Sequence, residues 1–293
     1  MASLTSASLE LPKHMAKGIF EEAQLGSTIA ALSGAKPMLF GESQSMTFSN
    51  PKAQFVGEGA QKSHSPVTPS IITVKPYKTQ VTMRFNEEVK WADEDYQLGV
   101  LQQLADKSGP ALARALDLGV YHGVNPLTGL AFAAITKFIN QSTNRVETAG
   151  ASIADLDAAE ALVAGIPNGA ALDPTYAKGF RSVRDSEGRR MFPDLRLQTE
   201  PTDLDGYTTS VSDTISASEE VAVDTGIRGF VGDYSQIYWG VQRKIGVRMI
   251  EFGDPDGEGD LQQFNQIALR AELVYGWVIG DLDRFAVIED QVA

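Results

Sequence analysis

Cysteine is absent from the 293 residues, which excludes disulfides, thiolate metal sites and a cysteine nucleophile. Histidine is scarce: His14, His64 and His122 lie far apart and form neither an H-x-x-x-H nor an H-E-x-x-H pattern. Those spacings are what place two metal ligands on one helical face. No run approaches the roughly 18 apolar residues of a membrane helix, and Met1 to Leu11 has no basic segment leading into an apolar one. The chain is therefore expected in the cytosol, with no membrane contact. A basic excess is missing too, since 25 Lys and Arg stand against 38 Asp and Glu, a formal charge of -13. Gripping phosphates needs concentrated Lys and Arg, so sequence-specific nucleic-acid binding is not expected. Enclosing DNA is compatible with such a balance, because an acidic lining lets packed DNA slide.

Catalytic signatures are equally scarce. Gly57-Glu58-Gly59 lacks the G-x-x-x-x-G-K-[ST] spacing of a phosphate loop, and no G-x-S-x-G elbow occurs. Carboxylates abound, but no pattern sets two of them around a cleft. No catalytic residue and no cofactor is expected, and an enzyme is unsupported. What is present is an ordinary globular mix, 43% hydrophobic and 22% charged, enough for one large domain or two modest ones.

Residues 1–50 combine a plausible helix at Met15 to Ala23 with small and polar residues, and read as an arm that orders against something else. Gln54 to Ser70 is rich in turn formers and reads as a loop or hairpin tip. After Pro76 the pattern alternates strictly, with Tyr77, Thr79, Val81, Met83 and Phe85 on one face and Lys78, Gln80, Thr82 and Arg84 on the other. That is a half-buried strand. Ile72 and Val74 have the opposite phase, which puts a bulge or bend of an edge strand at Pro76.

Asp93-Glu94-Asp95 opens a helix carrying Leu98, Leu101, Leu104, Leu112, Leu116 and Val120, which runs to about Tyr121 and spans roughly 40 Å. Gly109-Pro110 either kinks it or divides it in two; Gly123 stops it. Ser152 to Gly165 is a second helix, with Ser152 as N-cap and Asp155 completing a weak capping box. Asp173 to Ser186 resembles another. The arginines at its end and beyond, Arg181, Arg184, Arg189, Arg190 and Arg196, are interleaved with acids and suit a solvated or subunit-facing loop better than a phosphate site. The last third reads as short strands divided by glycines: Gly229 to Tyr234, Ile237 to Val241, Ile245 to Ile250, Ile267 to Val274, Gly276 to Ile279 and Phe285 to Ile288. Asp254, Asp256, Glu258 and Asp260 alternate in a loop that offers oxygen ligands yet lacks the twelve-residue calcium-loop spacing; a plain hairpin loop is the expectation and no metal is assigned.

In their order these elements resemble the Hong Kong 97-like major capsid proteins of tailed double-stranded-DNA bacteriophages. Three stretches carry the resemblance. Ala53-Gln54-Phe55-Val56-Gly57-Glu58-Gly59-Ala60-Gln61-Lys62-Ser63 is similar to the tract that opens the family's extended E-loop. Leu112 to Gly123, followed by Asn125-Pro126-Leu127-Thr128-Gly129, is similar to the end of its spine helix and the loop beyond. Gly232-Asp233-Tyr234-Ser235, with Gly240 and Arg243, is similar to the start of its C-terminal strands.

The resemblance implies an α+β fold with an N-terminal arm (1–50), an E-loop (51–85), a P-domain with spine helix (86–150), an A-domain (151–227) and C-terminal strands completing both domains (228–293). It implies pentamers and hexamers closing an icosahedral shell around phage DNA, with room for separate scaffolding, portal and decoration proteins. With about fifty residues before the E-loop, any scaffold is expected to be a separate protein. Subunit contacts are expected at Phe55, Val56, Gly57, Glu58, Gly59 and Lys62, at Arg189 and Arg190, and at Asp254, Asp256, Glu258 and Asp260. The family's covalent crosslink is not carried over, because neither Lys62 nor Asn265 has a motif that fixes the match. The competing reading is an encapsulin, a nanocompartment on the same fold that encloses protein cargo.

Overall fold

A computed structural model of the protein describes residues 26–48, 51–59, 61, 62, 64, 65, 67–91 and 94–291. The helix expected at Met15 to Ala23 lies outside them. In chain order the first half contains α1 (Thr28–Leu32), β1 (Ser43–Phe48), β2 (Pro69–Asn86), α2 (Glu94–Tyr121), β3 (Arg145–Thr148), α3 (Ile153–Leu162) and β4 (Gly169–Leu172). The second half contains α4 (Pro174–Phe180), β5 (Thr202–Leu204), β6 (Tyr207–Val211), β7 (Ile227–Gly232), β8 (Ile237–Ile250), β9 (Gln266–Ile279) and β10 (Phe285–Asp290). They form two sheets: a four-stranded one ordered β1-β2-β9-β8, and a six-stranded one ordered β3-β10-β7-β4-β6-β5.

The six-stranded sheet is covered on both faces, which explains why its central strands are apolar without alternation. Phe285 and Val287 of β10 and Phe230 of β7 face a core shared with α2, whereas Ala286, Ile288 and Val231 face a second core beneath α3 and α4. The four-stranded sheet has one buried face. Tyr77 and Val81 of β2 pack on the first core, with Tyr77 stacked on Trp277 at a centroid distance of 3.9 Å. This is the face that the alternation in β2 marked.

Helix α2 runs unbroken through Pro110, so neither division nor a second helix occurs. Gly123 does end this stretch: its φ of +67° suits glycine, and a Cβ there would approach Phe138 to 2.6 Å. Helix α3 is capped by Ser152 Oγ, which accepts from the Ala154 amide. The capping box with Asp155 does not form, because that carboxylate accepts instead from Thr148 Oγ1 and, at 2.9 Å, from Tyr176 Oη. Helix α4 stops at Phe180, six residues short of the expected end.

Two breaks expected among the last strands are absent. Ile237 to Ile250 is a single strand with irregular register between Val241 and Gly246, and Gln266 to Ile279 is a single strand as well. Gly240 and Gly276 face each other across the β8–β9 register. They provide clearance: a Cβ on Gly240 would lie 2.0 Å from the Lys36 carbonyl, because residues 33–41 cross β8 there. The crossing is tied by Lys36 N to Trp239 O at 2.8 Å, Trp239 Nε1 to Ser33 O at 2.8 Å and Gly41 N to Gln242 Oε1 at 3.1 Å. Residues 27–33 are thus built into the core of their own subunit, with Ile29 fully buried, in contrast to an arm ordered only by a neighbour.

Asp117 accounts for that placement. It is fully buried on α2 and accepts hydrogen bonds from Ser27 Oγ, from Thr28 N and Oγ1 (both 2.9 Å), from Ile29 N (3.2 Å) and from Thr214 Oγ1 (3.0 Å). Burial pushes its pKa up, and the donors from Ser27, Thr28 and Ile29 pull it back. One turn on, His122 Nε2 donates to the Ile215 carbonyl at 2.9 Å, while Nδ1 is buried without a partner. Burial lowers the His122 pKa to about 4.

Two outcomes follow. Asp117→Leu leaves the donors of α1 without an acceptor and should cost at least about 3 kcal/mol in urea unfolding; a loss under about 1 kcal/mol contradicts the anchor. His122 must stay neutral in the fold, so its contribution is intact above the unfolded pKa of about 6.5 and is lost as pH falls through about 4. His122→Gln should remove on the order of 3 kcal/mol of pH dependence across that window, read by comparing urea midpoints of the two proteins at each pH.

Candidate assembly surface

Strand β2 is shared between two partners. Pro69 to Val74 pairs with β1, and Lys75 to Asn86 pairs with β9 in an uninterrupted register that includes Pro76 opposite Gly276. The change expected at Pro76 is therefore a change of pairing partner between Val74 and Lys75, and no bulge interrupts the β9 register. Between β1 and the start of β2, the described residues of 51–68 form no strand or helix. Lys52 and Ser65 stand close, with Ser65 Oγ donating to the Lys52 carbonyl. Beyond them Phe55, Val56, Gly57, Glu58, Gly59 and Lys62 are all exposed, Phe55 completely. An aromatic ring fully in water on a loop braced by a long strand is an apolar group lacking its own subunit's cover.

At the other end of β2, Arg84 points to the face opposite the core and takes hold of the acidic loop. Its Nε donates to both Asp256 carboxylate oxygens (2.8 and 2.6 Å), and Nη2 donates to Asp254 Oδ1 (3.1 Å) and to the Gly259 carbonyl (2.8 Å). Arg270, opposite Thr82 in the sheet, donates to Thr82 Oγ1 and to the Pro255 carbonyl. The hydrogen bond from Arg84 holds Asp256 below its ordinary carboxylate pKa. Asp254 also accepts from the Gly257 amide, Asp260 caps the turn Leu261–Phe264, and Glu258 is exposed. Among the described residues no three acidic or histidine side chains converge as metal ligands. The alternating acids thus meet a guanidinium supplied by the chain itself.

Arg189 and Arg190 lie apart from both features, on an exposed turn where Arg184 and Arg190 bridge, Arg189 pairs with Glu187 and its amide donates to Asp185. The structure thus brings Asp254 and Asp256 together, leaves Phe55 to Lys62 free, and sets Arg189 and Arg190 elsewhere. Sequence reasoning missed Arg84 and Asp117. The signals were there: an arginine on the polar face of β2, and a carboxylate beside the buried Leu112, Leu116 and Val120 stripe.

No family model matches the chain. It is 23% identical over 300 residues to the curated "Probable major capsid protein gp17" of Mycobacterium phage D29, an alignment covering 97% of this chain and 91% of that protein. Among solved structures, a chain from Mycobacterium phage Ogopogo is 43% identical with a TM-score of 0.78, covering 91% of this chain and 92% of that one. A chain from Gordonia phage Cozz is 30% identical with a TM-score of 0.74, covering 91% and 87%. The capsid of an empty GTA particle shares the fold at a TM-score of 0.62 and 14% identity, covering 91% and 90%. Nothing found favours the nanocompartment alternative. A spine-like helix under a four-stranded sheet, a long hairpin projecting from it and full-length likeness to phage capsid chains lead to one family: the chain belongs to the Hong Kong 97-like major capsid proteins of tailed bacteriophages.

Proposed function

We propose that the subunit closes an icosahedral shell as pentamers and hexamers around double-stranded DNA, assembled in the host cytoplasm, with the loop at Phe55 to Lys62 lying over a neighbouring subunit. The observation that carries this is the fully exposed Phe55 on a loop whose base is fixed by a 12-residue register with β9. Such a ring gains free energy by being covered, and a neighbour can cover it where its own subunit does not. Shell closure then sums many modest contacts. The formal charge of -13 supports enclosure of DNA without a phosphate-gripping surface.

The four-stranded sheet with α2 supports a P-domain, and the six-stranded sheet with α3 and α4 supports an A-domain. On this reading the hairpin begins at Ser43, earlier than the boundary drawn from sequence. The loop at Asp254 to Asp260 sits at the P-domain tip, where the Arg84 clamp presents it in one shape to an adjacent capsomer. Separate scaffolding, portal and decoration proteins complete the set of partners.

Because Lys52 and Ser65 already meet, residues 53–64 can be replaced by a short glycine turn. The shortened protein should fold with an unchanged circular dichroism spectrum and form no closed shells under the electron microscope; normal particles would contradict the proposed role of the loop. Arg84→Met should leave the fold intact and raise amide exchange at residues 254–260 by about tenfold. Unchanged exchange there would show that the clamp does not order the loop.

A further inference from the structure

Residues between α4 and β5 border a cleft of about 530 Å3, lined by Arg181 and by the stretch 193–198. Arg181 follows the last turn of α4, and its Nε is buried without a hydrogen-bond acceptor. A shielded guanidinium N–H that has given up water and gained nothing is unfavourable until an acceptor arrives. Nearby arginines are already satisfied: Arg184 donates to the Gly188 carbonyl, Arg189 pairs with Glu187 and Arg196 pairs with Glu200. Asp194, Leu195 and Arg196 line the cleft beside it. Asp194 lines the same cleft but makes no ion pair with Arg181 among the described residues. The cleft therefore holds one cation without a partner among the described residues.

We propose that this cleft receives a carboxylate side chain from a second copy of the chain, held by Arg181. The inference rests on the assembly reading and deepens it by naming a contact far in sequence from the hairpin. Copies with a net charge of -13 repel one another, so a sheltered, unpaired cation is where a neighbour's carboxylate is drawn most strongly. Arginine presents two parallel N–H groups to a carboxylate. Asp194 on the same wall limits the site to a single negative charge and disfavours the doubly charged phosphate group.

The test uses the full chain. Arg181→Gln should melt within about 2 °C of the unaltered protein yet need about tenfold more subunit to form particles by light scattering and electron microscopy. Arg181→Lys should recover part of the loss, because it keeps the charge without the fork. Arg181→Gln assembling like the unaltered chain overturns the proposal. A second measurement needs no variant: amide exchange at residues 194–196 should slow when dissociated subunits form particles, and equal rates in the two states overturn it. Protection of those amides in free subunits by inorganic phosphate, with no change on assembly, also overturns it in favour of a small-anion site. If the unaltered chain forms no particles even when co-expressed with its scaffolding protein, the assembly reading itself fails; particles that ignore Arg181 remove this contact alone.

Discussion

The buried carboxylate of Asp117 holds together three segments that are distant in sequence: α1 through Ser27, Thr28 and Ile29, α2 on which it sits, and the turn containing Thr214. A lone buried carboxylate is unfavourable, and it persists here because donors from two other segments surround it. Once α1 is fixed there, residues 33–41 must cross β8, and the position of Gly240 becomes obligatory. From that crossing the chain enters β1, which pairs with the first third of β2 and so sets where the hairpin leaves the body. The direction of the projecting loop thus traces back to hydrogen bonds deep in the core.

Close to Asp117, Arg114 binds Asp213 and Glu220 at 2.6 and 2.5 Å, which ties the same face of α2 to the segment after β6. The helix therefore couples the two sheets by polar contacts as well as by the shared apolar core of Leu112, Leu116, Tyr121, Phe230 and Tyr275. One continuous helix thus packs against both the hairpin sheet and the six-stranded sheet.

Legibility followed the range of the interaction. The alternation from Tyr77 to Phe85 reports local burial, and it located both the strand and its core face. The N-cap at Ser152 and the glycine stop at Gly123 are likewise settled within a few residues. The strand ends expected after Val241 and Val274 are absent, because runs divided by glycines looked like separate strands; the reason for Gly240, the crossing of Lys36, lies about two hundred residues away. The acidic loop was visible as a pattern, but its cation is 170 residues upstream, on β2. Residues 27–33 include the apolar run Ile29 to Leu32, but the buried acceptor that anchors the segment, Asp117, lies about ninety residues downstream. The loop between β1 and β2 was legible as an exposed segment because its glycines and polar residues carry no burial pattern.

The central claim is that an exposed apolar loop on a rigid hairpin finds its cover on another copy of the same chain. Electron cryomicroscopy of assembled particles tests it most directly. The account predicts a closed icosahedral shell in which the Phe55 side chain lies within about 4.5 Å of apolar atoms of a neighbouring subunit. A closed shell in which Phe55 faces solvent, or folds back onto its own subunit, would contradict it.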